Sequence, residues 1–180
     1  MQLKSISVAA AAASAALLLA MPAHAITTVF STTLGAAGEP VPTSTASGAA
    51  VVSFDDSVNA VTVLMSFAGL ANTAPFGHIH CCTVTPGTGG SAVALGFTPL
   101  PATTTGSYIS VFNLTPTAFS TLLAGTTAGR SYVNIHTPGT YASGEIRGFL
   151  APVPEPETYA LLLSGLAVVG WMARRQKRAA

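Results

Sequence analysis

Charge is what this chain has least of: 7 of its 180 residues are Lys or Arg and 6 are Asp or Glu, where about a quarter of a soluble domain is ordinarily charged. Four of the bases (Arg174, Arg175, Lys177, Arg178) crowd the last seven residues, and Glu155 and Glu157 stand just before an apolar run. Between Ile26 and Ala151 there remain only Glu39, Asp55, Asp56, Arg130, Glu145 and Arg147. No basic footprint exists there for nucleic acid. So few titratable groups also exclude most general acid–base schemes. Cysteine is equally scarce. Cys81 and Cys82 are the only two and are adjacent, so no long-range disulfide staples the fold. No G-x-S-x-G motif occurs, which removes the serine-hydrolase reading.

Both ends of the chain read as addresses. Residues 1–25 pass from a short basic start through an alanine-rich apolar stretch to Ala23-His24-Ala25, the small-residue pattern of a signal-peptidase site, so the mature chain is expected to begin at Ile26. The stretch is too short for a lasting span, which takes about 20 apolar residues. Residues 152–180 hold Val153-Pro154-Glu155-Pro156, a largely apolar run over 159–173 read as a hydrophobic transmembrane helix, and the basic cluster. Retention of positive residues in the cytoplasm orients such a tail N-out, C-in.

The middle, 26–151, is long enough for one domain with one core. Its 22 threonines and 12 serines make it soluble through hydroxyls rather than charge. Val61, Val63, Met65 and Phe67 alternate with Thr62, Leu64 and Ser66, the period of a strand buried on one face. Ala49–Phe54 precedes it across Asp55-Asp56-Ser57, so the pair predicts a hairpin. Further strands are expected over 28–34, 77–82, 107–112, 131–137 and 144–150, and Thr115-Pro116 opens a short helix stopped by Gly125. The pattern predicts an all-β fold, a single Greek-key β-sandwich or barrel with one short helix.

The histidines are the chemistry-bearing residues. His24 leaves with the signal peptide, and His78, His80 and His136 remain. Residues two apart on a strand share a face at roughly 6.5 Å, so His78 and His80 suit one metal ion. His136 shares a face with Tyr132 and Asn134, and if the two strands are neighbours three imidazoles meet, a donor set for copper or zinc. The competing reading is a set of histidines hydrogen-bonded within a polar strand face. Cys81 and Cys82 have three open readings: a vicinal disulfide, cross-linking between chains, or a Cys82 thiolate joining the histidine face. Glu145 and Arg147 read as an ion pair or as bonds to a neighbouring strand, not as catalytic residues.

Gly77-His78-Ile79-His80, Tyr132-Val133-Asn134-Ile135-His136-Thr137 and Gly144-Glu145-Ile146-Arg147-Gly148, with Phe30 to Leu34 near the start, resemble a CHRD (chordin-type) domain over nearly all of Val29 to Leu150. The resemblance implies an all-β domain of secreted or surface proteins. A fainter similarity to copper/zinc superoxide dismutases implies a related fold with His78, His80 and His136 as ligands and Arg147 near the site. The fourth histidine, the bridging zinc loop and a distant disulfide partner are missing, so dismutase activity is not expected. The tail resembles a PEP-CTERM sorting signal. That resemblance implies an exosortase in the inner membrane as processing partner, cleavage near Pro154-Glu155-Pro156, and delivery to the cell surface or extracellular matrix of a Gram-negative bacterium. The expected role is non-enzymatic, adhesion or matrix structure in a biofilm, with a copper or zinc site as the alternative.

Overall fold

The computed structural model describes residues 27–73, 75–83, 93–97, 100–154, 162–171 and 174. The expected signal peptide over 1–25, with Ala23 and Ala25, lies outside them, as do Glu155 and Pro156 of the sorting motif. Among the described residues up to Pro154, nine strands and a helix follow in the order β1 (Thr27–Leu34), β2 (Ser47–Asp55), β3 (Ala60–Ala68), β4 (Phe76–His80), β5 (Val93–Phe97), β6 (Gly106–Asn113), α1 (Pro116–Thr127), β7 (Tyr132–His136), β8 (Ile146–Phe149) and β9 (Ala151–Pro152).

They form two antiparallel sheets, β6-β3-β2-β1-β9 and β5-β4-β7-β8. The chain builds β1 to β3 as a meander, crosses for β4 and β5, returns as β6 beside β3, and crosses again to set β7 beside β4. The result is a sandwich rather than a closed barrel, joined at one seam by the bridge between Gly35 and Arg147. The alternation in β3 is borne out: Val61, Val63, Met65 and Phe67 are 0 to 3% exposed. They meet Phe30, Val52 and Phe54 from one sheet and Ile79, Val133, Ile135 and Ile146 from the other in a single core. Phe119 and Leu122 of α1 close one end, with the Phe119 ring 5.7 Å from Phe54.

Two local expectations are corrected and one strand is added. The helix does not stop at Gly125 but runs to Thr127, and Gly129, at φ +69°, follows its Ala128 cap. Residues 93–97 form a strand that the glycine-rich stretch around them concealed. The described part of the C-terminal apolar run, 162–171, is helical with exposed side chains. Among the described residues no helix is long and apolar enough to cross a membrane, so the transmembrane helix expected over 159–173 is not seen there.

Candidate metal centre

β4 and β7 are hydrogen-bonded neighbours in the register Phe76↔His136, His78↔Asn134, His80↔Tyr132. Because side chains alternate across a strand, Val133 and Ile135 enter the core while Tyr132, Asn134 and His136 turn to the opposite face, alongside His78 and His80. The register sets His136 diagonal to His78, a spacing that side chains of this length can span. The three rings converge: centroids lie 5.0 Å apart for His78 and His136, 5.7 Å for His78 and His80, and 6.4 Å for His80 and His136. One nitrogen from each falls within 4.8 Å of the others. A tetrahedral ion at about 2.0–2.1 Å from each nitrogen requires them about 3.3 Å apart, within reach of small side-chain rotations.

Two of the rings, His136 and His80, are backed by a stacked aromatic ring. The His136 ring stacks on Phe76 at 4.9 Å and 4°, and its Nδ1 bonds the Ala142 carbonyl at 3.1 Å. A carbonyl accepts only, so Nδ1 carries the proton and Nε2 keeps its lone pair. That Nε2 is buried without a hydrogen-bond partner among the described residues, and so is His78 Nδ1. Buried polar atoms are rarely left so. Two such imidazole nitrogens in one cluster suit a cation bound between them, and the residues present fit the group. Burial pushes the His136 pKa down from 6.5 to about 4, against the pull of the Ala142 carbonyl. Burial first, and then the nearby His80, lower that of His78. Both shifts favour the neutral ring, the form that metal ligation requires.

Beside the histidines lies a buried polar network that links distant parts of the chain. Tyr132 stacks on His80 at 4.7 Å and 2°, and Arg147 sits 5.1 Å from the Tyr132 ring centroid. Arg147 Nη2 donates to Glu39 Oε2 at 2.9 Å, and Asn134 Nδ2 donates to Glu39 Oε1. Arg147 thus pairs with Glu39, so of the two readings offered for Glu145 and Arg147 the ion pair between them is not formed. Residue 145 precedes β8, and its carboxylate accepts from Ser44 Oγ and the Ala71 N–H, each at 2.8 Å, and from Thr137 Oγ1. Fully satisfied and fully buried, Glu145 pins three loops together. Gly144 has φ +136°, and a Cβ there would run into the Glu39 carboxylate and the Asn134 amide. Sequence reasoning missed Glu39. A carboxylate only 5% exposed in a chain so poor in acids had a demanding reason to be there, and that scarcity was the one available signal.

The cysteines do not join this face. Cys81 and Cys82 form a vicinal disulfide, and both sulfurs lie toward α1, near the Thr121 carbonyl and against Gly125. Cys82, as half of a disulfide on the helix side, supplies no thiolate to the histidines.

A family model for the CHRD domain matches residues 30–150, about two thirds of the chain. The chain belongs to the CHRD family. The PEP-CTERM protein-sorting motif matches residues 152–178, directly after the CHRD domain, and marks an exported protein processed by exosortase for the bacterial cell surface. No curated protein and no solved structure matches the chain. The three histidines and the Glu39–Arg147 pair all fall within the CHRD domain.

Proposed function

We propose that this protein is an exported CHRD-domain protein that binds one copper or zinc ion through His78, His80 and His136, as a binding rather than a catalytic module. The observation that supports this most directly is that His78, His80 and His136 each bring a ring nitrogen within 4.8 Å of the others, while His136 Nε2 and His78 Nδ1 are buried without a hydrogen-bond partner among the described residues. Imidazole donors suit borderline cations, and three protein ligands leave a position open for a fourth. In this reading signal peptidase removes residues 1–25. The inner membrane of a Gram-negative cell holds the tail transiently, and exosortase acts near Val153-Pro154-Glu155-Pro156.

The test is metal content by mass spectrometry on the exported protein, purified without chelators, beside His78→Ala/His80→Ala and His136→Ala variants. Near-stoichiometric copper or zinc is expected in the wild type, with occupancy in both variants at least about tenfold lower. Metal-free wild type that is folded and stays so after incubation with either ion would overturn the reading.

A second role, adhesion or matrix structure at the surface or in a biofilm, draws support from the outer face of the larger sheet. Val51, Leu64 and Ile109 lie in register across β2, β3 and β6, and with Val111 they are 37 to 68% exposed. A contiguous exposed apolar row is a contact surface in waiting. Deleting the gene is expected to change surface attachment, and unchanged attachment would argue against this role.

A further inference from the structure

The vicinal disulfide has no evident mechanical task. A disulfide stabilises chiefly by closing a loop in the unfolded chain, with a benefit that grows with loop length, and Cys81 and Cys82 are adjacent. No other cysteine exists for either to pair with, and the export route leads to an oxidising compartment where thiol chemistry is in use. The two residues differ in exposure. Cys82 is exposed and Cys81 is 9% exposed. A mostly apolar cleft of about 370 Å³ opens beside Cys81, lined by Thr117, Ala118, Thr121 and Leu122 of α1. The Thr121 carbonyl lies 4.0 Å from Cys81 Sγ and 3.7 Å from Cys82 Sγ, an acceptor ready for the S–H groups of a reduced pair. Gly125 has no side chain, so the helix backbone approaches both sulfurs closely.

We propose that Cys81–Cys82 is a thiol–disulfide exchange site that accepts two electrons from a dithiol. The incoming thiolate attacks Sγ of Cys82, the more exposed of the two residues, and forms a mixed disulfide with it. The Cys81–Cys82 bond breaks, its electron pair leaves on Cys81 Sγ, and that sulfur takes a proton and moves into the cleft. The second thiol of the substrate then attacks its own half of the mixed disulfide and releases Cys82 as a thiolate, which is protonated in turn. The substrate ends as a disulfide and the pair as two thiols, with two electrons and two protons transferred. The site lies on the helix side of β4, away from the histidine face, and its operation does not depend on metal.

The experiment treats the folded, exported protein with dithiothreitol in native buffer, alkylates it with iodoacetamide, and counts adducts by mass spectrometry while circular dichroism follows the fold. Two adducts with an unchanged spectrum are expected. Cys81→Ser and Cys82→Ser variants are then reacted with 5,5′-dithiobis(2-nitrobenzoate), and the thiol left at Cys82 is expected to react at least about tenfold faster than the one left at Cys81. Alkylation only in denaturant, equal rates in the two variants, or loss of fold on reduction would each overturn the proposal. If a serine variant does not fold, the wild-type arm still decides.

Discussion

Glu39 and Arg147 hold together residues 108 positions apart, and the cost of separating them follows from their burial, since each would leave an uncompensated charge behind. Burial already pushes the Glu39 carboxyl above its ordinary pKa, against the attraction of Arg147. Glu39→Gln is therefore expected to destabilise the domain by about 3 kcal/mol in urea unfolding, and Glu39→Gln/Arg147→Met to recover part of that loss. His136 gives a second test. Its folded-state pKa is about 4 against 6.5 for an ordinary histidine, so as pH falls the unfolded chain takes up the proton first. The stability contribution is complete above about pH 6.5 and declines toward pH 4, by up to about 3 kcal/mol for the metal-free protein. His78, lowered in the same direction, adds to the slope, while the raised Glu39 opposes it at the acid end. Urea midpoints measured from pH 7 to pH 4 should show this decline, and His136→Gln should flatten it. His78 and His80 were legible as a pair because their spacing is local and strand alternation is strict, whereas His136 joins them only through the pairing of β4 with β7. Glu39 was not, because nothing near it in sequence says that it will meet Arg147.

α1 begins where its chemistry says it should, with Thr115 Oγ1 accepting from the Ala118 N–H at 3.3 Å and Pro116 in the first turn. Thr115→Ala is expected to cost about 1 kcal/mol, readable as a lower melting temperature with the fold intact. Its end was misjudged because glycine is a common helix stop, whereas Gly125 is there for the close approach of the cysteine sulfurs. β6 forms the opposite edge of its sheet from β9 and carries no charged residue over its eight positions. Natural edges are usually guarded by charge, so Ile109→Lys/Val111→Lys is expected to reduce self-association and adsorption, measured by light scattering and surface binding, with stability changed by less than about 0.5 kcal/mol. The alternation in β3 was readable from residues alone. β5 was not, since its identity as a strand comes from its pairing with β4 and glycine-rich surroundings masked it.

At the scale of the molecule the sandwich was foreseeable from the number, length and spacing of the strands, while the order of strands in each sheet depends on crossings that no local pattern encodes. The end of the CHRD domain is one such case. β9 has two residues, and they pair with the first strand in the register Phe30↔Pro152 and Ser31↔Ala151, followed by a bond from the Val153 N–H to the Val29 carbonyl at 2.9 Å. A chain ending at Pro154 is expected to keep the melting temperature of the domain, and one ending at Leu150 to lose about 1 kcal/mol, measured by thermal unfolding. That pairing also fixes where the two processing ends leave the domain. Thr27 stands three residues before Phe30, about 10 Å along the strand, so the chain enters and departs at one corner. The sorting tail accordingly starts from an anchored strand with almost no slack before Pro154. Exosortase therefore meets a sorting tail that leaves a folded domain beside the strand with which that domain begins.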